Sequence, residues 1–235
     1  MPIQPLLNNY LQQYFDKILV VSVPRFTDRH QSLKQNLDGL EYEFFYGTDK
    51  EQLDIETAKS DGTYDEQRAK KLQRQGKALN LGELACSLSH RQVYAAMIKY
   101  NWQKVLVLED DVLPLTKDLN QLAEAIEELP HNWELLYLGY LKHEKITNGL
   151  KAKQFFYKIL SAAGFMTWSY KMVSNLLPKP YSVHLKNAGF HDCTHAYAIT
   201  LAGAQKLLAA QTPVVYRADD LLSATIMKGE LNAFV

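Results

Sequence analysis

Three carboxylates in a row, Glu109, Asp110 and Asp111, follow the apolar run KVLVL at 104–108. Adjacent acids repel one another and gain nothing at the end of a hydrophobic strand unless a cation joins them. Oxygen ligands suit a hard ion such as Mg²⁺ or Mn²⁺, which can also bridge a diphosphate. In open α/β sheets ligands bind beyond the carboxyl ends of the strands, where this triplet falls. Strand alternation directs Glu109 and Asp111 to one side and Asp110 to the other. The competing reading is a solvated strand-to-helix turn with the aspartates as caps, and spacing alone leaves both open. Arg25 and Arg29 follow another apolar run, where a guanidinium matches phosphate oxygens or, at the surface, neutralises Asp28. Glu83 and His90 lie seven apart on one predicted helix, so they share a face that can turn toward the acids. A structural hydrogen-bonding role for His90 competes with that. His191, Asp192 and His195 form a further cluster, a candidate extra metal ligand or leaving-group contact that fits no closed zinc site. Tyr140, Phe155, Phe156, Tyr157, Trp168 and Tyr170 are candidates to stack on a sugar ring or to pack as core or lid.

These side chains need a scaffold. KILVVSV at 17–23 is β-branched and stops at Pro24, which reads as a buried strand. Asp28 is placed as the cap of a helix carrying Leu33, Leu37 and Leu40, with Gly39 at its end. YEFFY at 42–46 reads as a second strand, and the polar stretch 49–80 as a solvated insertion with scope for some helix. A helix over 81–100 has Leu84, Leu88, Ala95 and Ile98 facing inward. After the strand at 104–108, a helix capped by Thr116 carries Leu119, Leu122, Ala123, Ile126 and Leu129 inward, and 133–138 is a fourth strand. Residues 140–187 show no clear period. Order returns with a strand at 194–200, a helix at 201–210, a short strand at 214–216 and a helix from Leu221. Strands alternating with helices predict an α/β fold, a Rossmann-like three-layer sandwich with a mostly parallel central sheet.

The 26 basic and 26 acidic residues cancel, so no global field gathers nucleic acid, and any charge-based function must be local. No apolar run approaches the ~20 residues of a membrane helix. The first fourteen residues lack the pattern of a secretory signal, and a cytoplasmic protein is expected. The two cysteines, Cys86 and Cys193, have no metal or redox spacing and are expected as free thiols.

The run LGELACSLSHRQVY at 81–94, followed by KVLVLEDDV at 104–112, closely resembles glycosyltransferase family 25, the lipooligosaccharide-type and procollagen-type galactosyltransferases. PRFTDRH at 24–30 and THAYAITLAGAQKLL at 194–208 extend the resemblance over most of the chain, 140–187 excepted. Gly82-Glu83 with Ser89-His90 matches well, whereas Cys193 stands where a glycine is usual. Relatives usually continue past Val235, so a C-terminal piece is expected to be missing.

The resemblance implies a GT-A fold in one domain, with a nucleotide-sugar-binding half at 1–139 and an acceptor-side half at 140–235. It implies a UDP-sugar donor, with UDP-galactose expected, Mn²⁺ or Mg²⁺, and inversion at the anomeric carbon. Asp111 is then the expected direct metal ligand, with Glu109 and His195 as further ligands. Glu109 and Asp110 are expected to hold metal-bound water or the ribose, and Arg25, Arg29, Glu83 and His90 to face the donor. Inverting transfer also needs a carboxylate on the acceptor side, distinct from the metal-bound acids. Asp219 is placed there first, by its spacing to Leu222, then Asp220 and Asp192, against a helix-capping role. The expected partners are the UDP-sugar and a saccharide or glycolipid acceptor such as lipooligosaccharide. Membrane contact is expected to be at most peripheral and electrostatic, on the inner membrane face, through 142–158 and Lys70, Lys71 and Arg74. The alternative function is a catalytically silent relative serving as a nucleotide- or glycan-binding or adhesion module.

Overall fold

The protein is described by a computed structural model over residues 3–73 and 76–235. In chain order the elements are α1 (Pro5–Tyr14), β1 (Lys17–Ser22), α2 (Thr27–Asn36), β2 (Glu43–Tyr46), α3 (Ile55–Ser60), α4 (Glu66–Leu72), α5 (Leu81–Tyr100), β3 (Lys104–Glu109) and α6 (Thr116–Glu127). They continue as β4 (Leu135–Leu141), α7 (Asn148–Ala162), α8 (Tyr170–Ser174), β5 (Lys179–Pro180), β6 (Lys186–Asn187), β7 (Asp192–Thr200), α9 (Leu201–Ala210), α10 (Ala218–Lys228) and β8 (Ala233–Phe234).

The strands form one sheet in the order β2-β1-β3-β7-β4-β8-β6-β5. β2, β1 and β3 run parallel, β7 is antiparallel to both β3 and β4, and β4 runs parallel to β8. Among the described residues, β7 and β6 run against the other strands of the sheet. Each central strand sends alternate residues to opposite faces. Val105 and Val107 of β3 pack with Tyr197 and Ile199 of β7 under α5, α9 and α10. Leu106 and Leu108 pack with Ala196 and Ala198 on the other face, under α1, α2 and α6. The result is an α/β three-layer sandwich, hydrophobic on both faces of the sheet as a parallel-rich arrangement requires. Strands from both sides of residue 139 are interleaved, because β7 lies between β3 and β4.

Several local expectations change. Asp28 lies in the first turn of α2, whose N-cap position is Phe26, with no side-chain cap. The N-cap position of α6 is Leu115, with no side-chain cap, so Thr116 is the first residue of the helix and not its cap; Arg74 lies outside the described residues. In α5 the inward residues are Val93, Tyr94 and Met97 beside Leu84 and Leu88; Ala95 and Ile98 are exposed. The described residues between 49 and 80 are partly helical, as the sequence allowed, but they are not simply solvated. Asp54 and Asp65 cap two short helices, α3 and α4, and Ala58, Tyr64, Ala69 and Leu79 close a small core against Leu84, Leu88 and Val214. Val214 forms a single bridge to Tyr64 within that core, so 214–216 is buried without being a strand of the sheet. Residues 140–187 contain α7, α8 and the β5–β6 hairpin.

Candidate active site

The sheet itself assembles the site. Parallel pairing sets Glu109 opposite Val21, so the acid triplet emerges beside Ser22 at the end of β1. Antiparallel pairing sets Leu108 opposite Ala196, which carries His195 and Thr194 to Glu109 across 86 residues of sequence. Thr194 Oγ1 donates to Glu109 Oε1 at 2.5 Å, and His195 Nδ1 donates to Oε2 at 3.2 Å. Asp110 turns the other way and is buried, accepting from Ser22 Oγ at 2.6 Å and from Arg29 Nη1 at 2.5 Å. Ser22 Oγ has one proton, given to Asp110, so the His30 Nε2 contact at 2.8 Å places the hydrogen on His30. Asp111 keeps 53% of its side chain exposed, with Arg29 Nη1 at 3.5 Å.

Charge balance follows from these contacts. Burial alone would raise the Glu109 carboxyl, but the His195 hydrogen bond, the nearby His90 and the Thr194 hydroxyl outweigh it and leave its pKa lowered. The hydrogen bond to Glu109 raises His195. The hydrogen bond to Asp110 likewise raises Arg29. His90 is lowered by burial, against the charges of Glu109 and Asp219. It sits in the core with Nδ1 2.9 Å from Tyr197 Oη and Nε2 3.9 Å from Glu109.

One ligand atom each of Glu109, Asp111 and His195 lies within 4.8 Å of the other two. Two hard oxygens, one imidazole and an open side could hold a divalent cation that retains water. Cys86, His90 and Glu109 form a second such group, but its softer sulfur and engaged, buried histidine suit a hard ion less well. A cavity of about 360 Å³ opens beside the triplet, lined by Ser22, Arg25, Arg29, Thr48, Ser89 and His90 among others. On the other side of Asp111 and His195 lies a chamber of about 600 Å³, lined mainly by leucines of α1, α6 and the sheet.

The structure brings together Arg29, Glu109, Asp110, Asp111, His90 and His195, and sends other candidates elsewhere. Arg25 lines the 360 Å³ cavity but is paired with Asp49 at 2.7 Å and with Glu51 at 3.6 Å. Glu83 does not turn toward the acids: it completes a capping box with Asn80 and pairs with Arg217 Nε at 3.0 Å, fastening α5 to the start of α10. Asp192 is ion-paired to Lys142. Asp220 is buried in the first turn of α10 and lines a separate cavity with Trp168 and Phe190; with its amide turned to suit its neighbours, Gln73 donates to it at 2.9 Å. Of the aromatic candidates, Phe155, Phe156 and Tyr170 face solvent, and Tyr157 and Trp168 pack around Leu176, Phe190 and Met227.

Ser22, His30 and Thr194 are participants the sequence reading missed, and Ser89 entered it only as part of the motif with His90. Ser22 closes an apolar strand one residue before Val23-Pro24, the one signal that could have singled it out. Ser89 Oγ accepts from the Thr48 N–H at 3.0 Å, and Gly47 is needed there because a Cβ would collide with the Ser89 side chain.

The sequence matches the description "Glycosyltransferase family 25 (LPS biosynthesis protein)" over residues 15–222. The chain belongs to glycosyltransferase family 25. Similar proteins include procollagen galactosyltransferase 2 of Mus musculus, 28% identical over 207 residues that cover 83% of this chain and 28% of the relative. Inactive glycosyltransferase 25 family member 3 of Homo sapiens is 32% identical over 143 residues, 58% of this chain and 19% of the relative. A glycosyltransferase 25 family member of Anopheles gambiae is 27% identical over 207 residues, with 83% and 28% covered. The chain spans less than a third of the length of these relatives.

In this family 25 chain, residue 193 adopts φ 68°, a left-handed conformation that costs a side-chain-bearing residue energy and explains why a glycine is at home there. The turned backbone aims the Cys193 N–H at Asp219 Oδ2, 3.1 Å away, while Asp219 Oδ1 accepts the N–H of Asp220 at 2.8 Å. Asp219 is thereby fixed to the backbone of Cys193, two residues before His195 on β7. Cys86 and Cys193 are both free thiols.

Proposed function

We propose that this chain is a metal-dependent, inverting glycosyltransferase that moves a sugar, galactose in the simplest case, from a UDP-sugar to a saccharide or glycolipid acceptor. The observation that carries the reading is the convergence of Glu109, Asp111 and His195 beside an arginine-lined cavity at the carboxyl ends of β1 and β3. Glu109, Asp111 and His195 would hold the cation, Asp111 as its most accessible ligand. A divalent cation bound there supplies positive charge to the departing diphosphate. Arg29 holds Asp110 in place and presents the rest of its guanidinium to phosphate oxygens. Ser22 and His30 fix the second oxygen of Asp110, leaving that carboxylate preorganised for a ribose hydroxyl. On the acceptor side, Asp219 takes the proton of the attacking hydroxyl as it adds to the anomeric carbon. Two backbone N–H groups already orient this carboxylate.

A second reading, a silent relative that binds nucleotide or glycan, is favoured by the similarity to a human family member named inactive. Donor hydrolysis across a panel of UDP-sugars with Mn²⁺, with and without saccharide acceptors, separates the two. Turnover with at least one donor, lost in Asp219→Asn, is expected. Tight UDP binding with no turnover for any donor–acceptor pair assigns the chain to the silent class.

A further inference from the structure

Net neutrality hides a strong asymmetry in this chain. Between Lys145 and His191 there are seven lysines and no acidic residue, leaving nineteen basic and twenty-six acidic residues elsewhere. One segment therefore carries +7 and the remainder −7 at neutral pH.

Helix α7 lies in that segment and has two apolar faces. Leu150 and Tyr157 pack against Leu176, Leu177, Phe190 and Met227, and on the same side Gln154 donates to the Val173 carbonyl at 2.8 Å and Ser161 to the Trp168 carbonyl at 2.7 Å. At 3.6 residues per turn, Ala152, Phe155, Phe156, Ile159 and Ala163 fall on the opposite side. That second stripe is bare: Phe155 is 66% exposed, Phe156 56% and Ile159 51%, and Phe165 just beyond the helix is 80% exposed. Lys151 and Lys158 flank the stripe on one side and Lys153 on the other. Among the described residues none of these three lysines pairs with a carboxylate. Lys153 and Lys158 lie over the rings of Tyr157 and Tyr170 at 5.5 and 5.8 Å.

A solvated helix face does not place two adjacent phenylalanines and an isoleucine in water at i, i+1 and i+4. A protein–protein groove has no need of a border of lysines alone, in a segment that holds seven lysines and no acid. An apolar ridge framed by unpaired lysines is the pattern of a helix lying in the headgroup region of an anionic bilayer, its ridge a few ångströms into the acyl boundary and its cations at the phosphates.

We propose that α7 is a membrane-docking helix that seats this protein on an anionic lipid surface through Phe155, Phe156, Ile159 and Phe165, with Lys151, Lys153 and Lys158 on the headgroups. No helix among the described residues is long and apolar enough to cross a membrane, so attachment at this surface is in-plane and reversible. It has a hydrophobic part in addition to an electrostatic one, and salt weakens it without abolishing it.

The test is co-flotation of the whole chain with vesicles of phosphatidylcholine alone or with one third phosphatidylglycerol, at low and at high salt. Binding is expected only to the anionic vesicles. Phe155→Ser/Phe156→Ser should lower the partition coefficient about tenfold or more. Lys151→Gln and Lys153→Gln should each lower it about fivefold, from the ~1 kcal/mol that a lysine gains at such a surface. Tyr100→Ser, an equally exposed aromatic outside the segment, should leave partitioning unchanged. Circular dichroism and melting temperature of every variant establish that the fold persists. No binding of the wild type to anionic vesicles, or undiminished binding of the double phenylalanine variant, overturns the proposal. So does a soluble dimer that the phenylalanine variant alone dissociates in the absence of lipid; that outcome makes the stripe a self-association surface. None of these outcomes depends on glycosyl transfer, so they leave the reading of the acid site untouched.

Discussion

At the scale of the residue, the informative contrast is between Asp219 and Asp220, adjacent acids in the first turn of α10 with different surroundings. Asp220 is buried among Gln73 and Arg217, whereas Asp219 is pinned by the Cys193 N–H and its charge reaches His90. Asp219→Asn should therefore lower kcat by ~10² to 10⁴ with little change in UDP affinity, as loss of a general base does. A cap alone would show as ~0.5–2 kcal/mol of stability at near-normal turnover. Steady-state kinetics paired with thermal melting tells them apart. Cys193 gives an independent check on the same hinge. With φ at 68° its side chain is strained, and Cys193→Gly should stabilise the fold by about 1 kcal/mol in urea denaturation. A loss of stability on that substitution would show that packing of the thiol outweighs backbone strain.

At the scale of the element, β4 and β7 carry the constraint that matters most. Their register shifts between Tyr137 and Gly139, and a Cβ at Gly139 would come within 3.0 Å of the His195 Cβ. Gly139→Ala should push His195 from Glu109 and weaken Mn²⁺ binding by about 10- to 100-fold, the usual cost of disturbing a ligand's support. Calorimetric titration with Mn²⁺ checks this, and unchanged affinity removes His195 from the ligand set. The loop into β7 is anchored to α10 by a reciprocal pair, the His191 N–H to Ser223 Oγ at 3.0 Å and the Ser223 hydroxyl to the His191 carbonyl at 2.6 Å. Burial depresses His191 to about 4. Between pH ~6.5 and about 4 the unfolded chain binds a proton that the folded one does not, so stability falls as pH drops through that window. The slope is at most about 1.4 kcal/mol per pH unit and should flatten in His191→Gln when denaturation is followed from pH 7 to 4.

Elements with an unbroken apolar period were legible in the sequence: β1, β3, α5 and α9 fall where patterning put them. What patterning could not supply was pairing. The meeting of His195 with Glu109 depends on β7 inserting between β3 and β4, a long-range choice that no local period encodes. The small core under α3 and α4 was hidden for another reason. Tyr64 holds it by burying a ring whose hydroxyl accepts the Leu79 N–H at 2.9 Å, in a stretch otherwise read as polar. Helix α7 was obscured because its two opposed apolar faces blur the single stripe by which a surface helix is recognised.

At the scale of the whole molecule, the carboxyl ends of β1 and β3 collect the acid triplet and Arg29, and a separate segment collects seven lysines, so a neutral chain is electrostatically divided. The three-layer sandwich explains how both are displayed without cost to the core, which is sealed on each face of β1, β3, β7 and β4. The central claim is that the acid triplet holds a cation that in turn binds the donor's diphosphate. Calorimetric titration of UDP into the wild type and into Asp111→Asn, each with Mn²⁺ and with chelator, tests it most directly. The account expects binding by the wild type that needs Mn²⁺ and is lost in Asp111→Asn while the melting temperature is retained; UDP affinity indifferent to both chelator and substitution would contradict it.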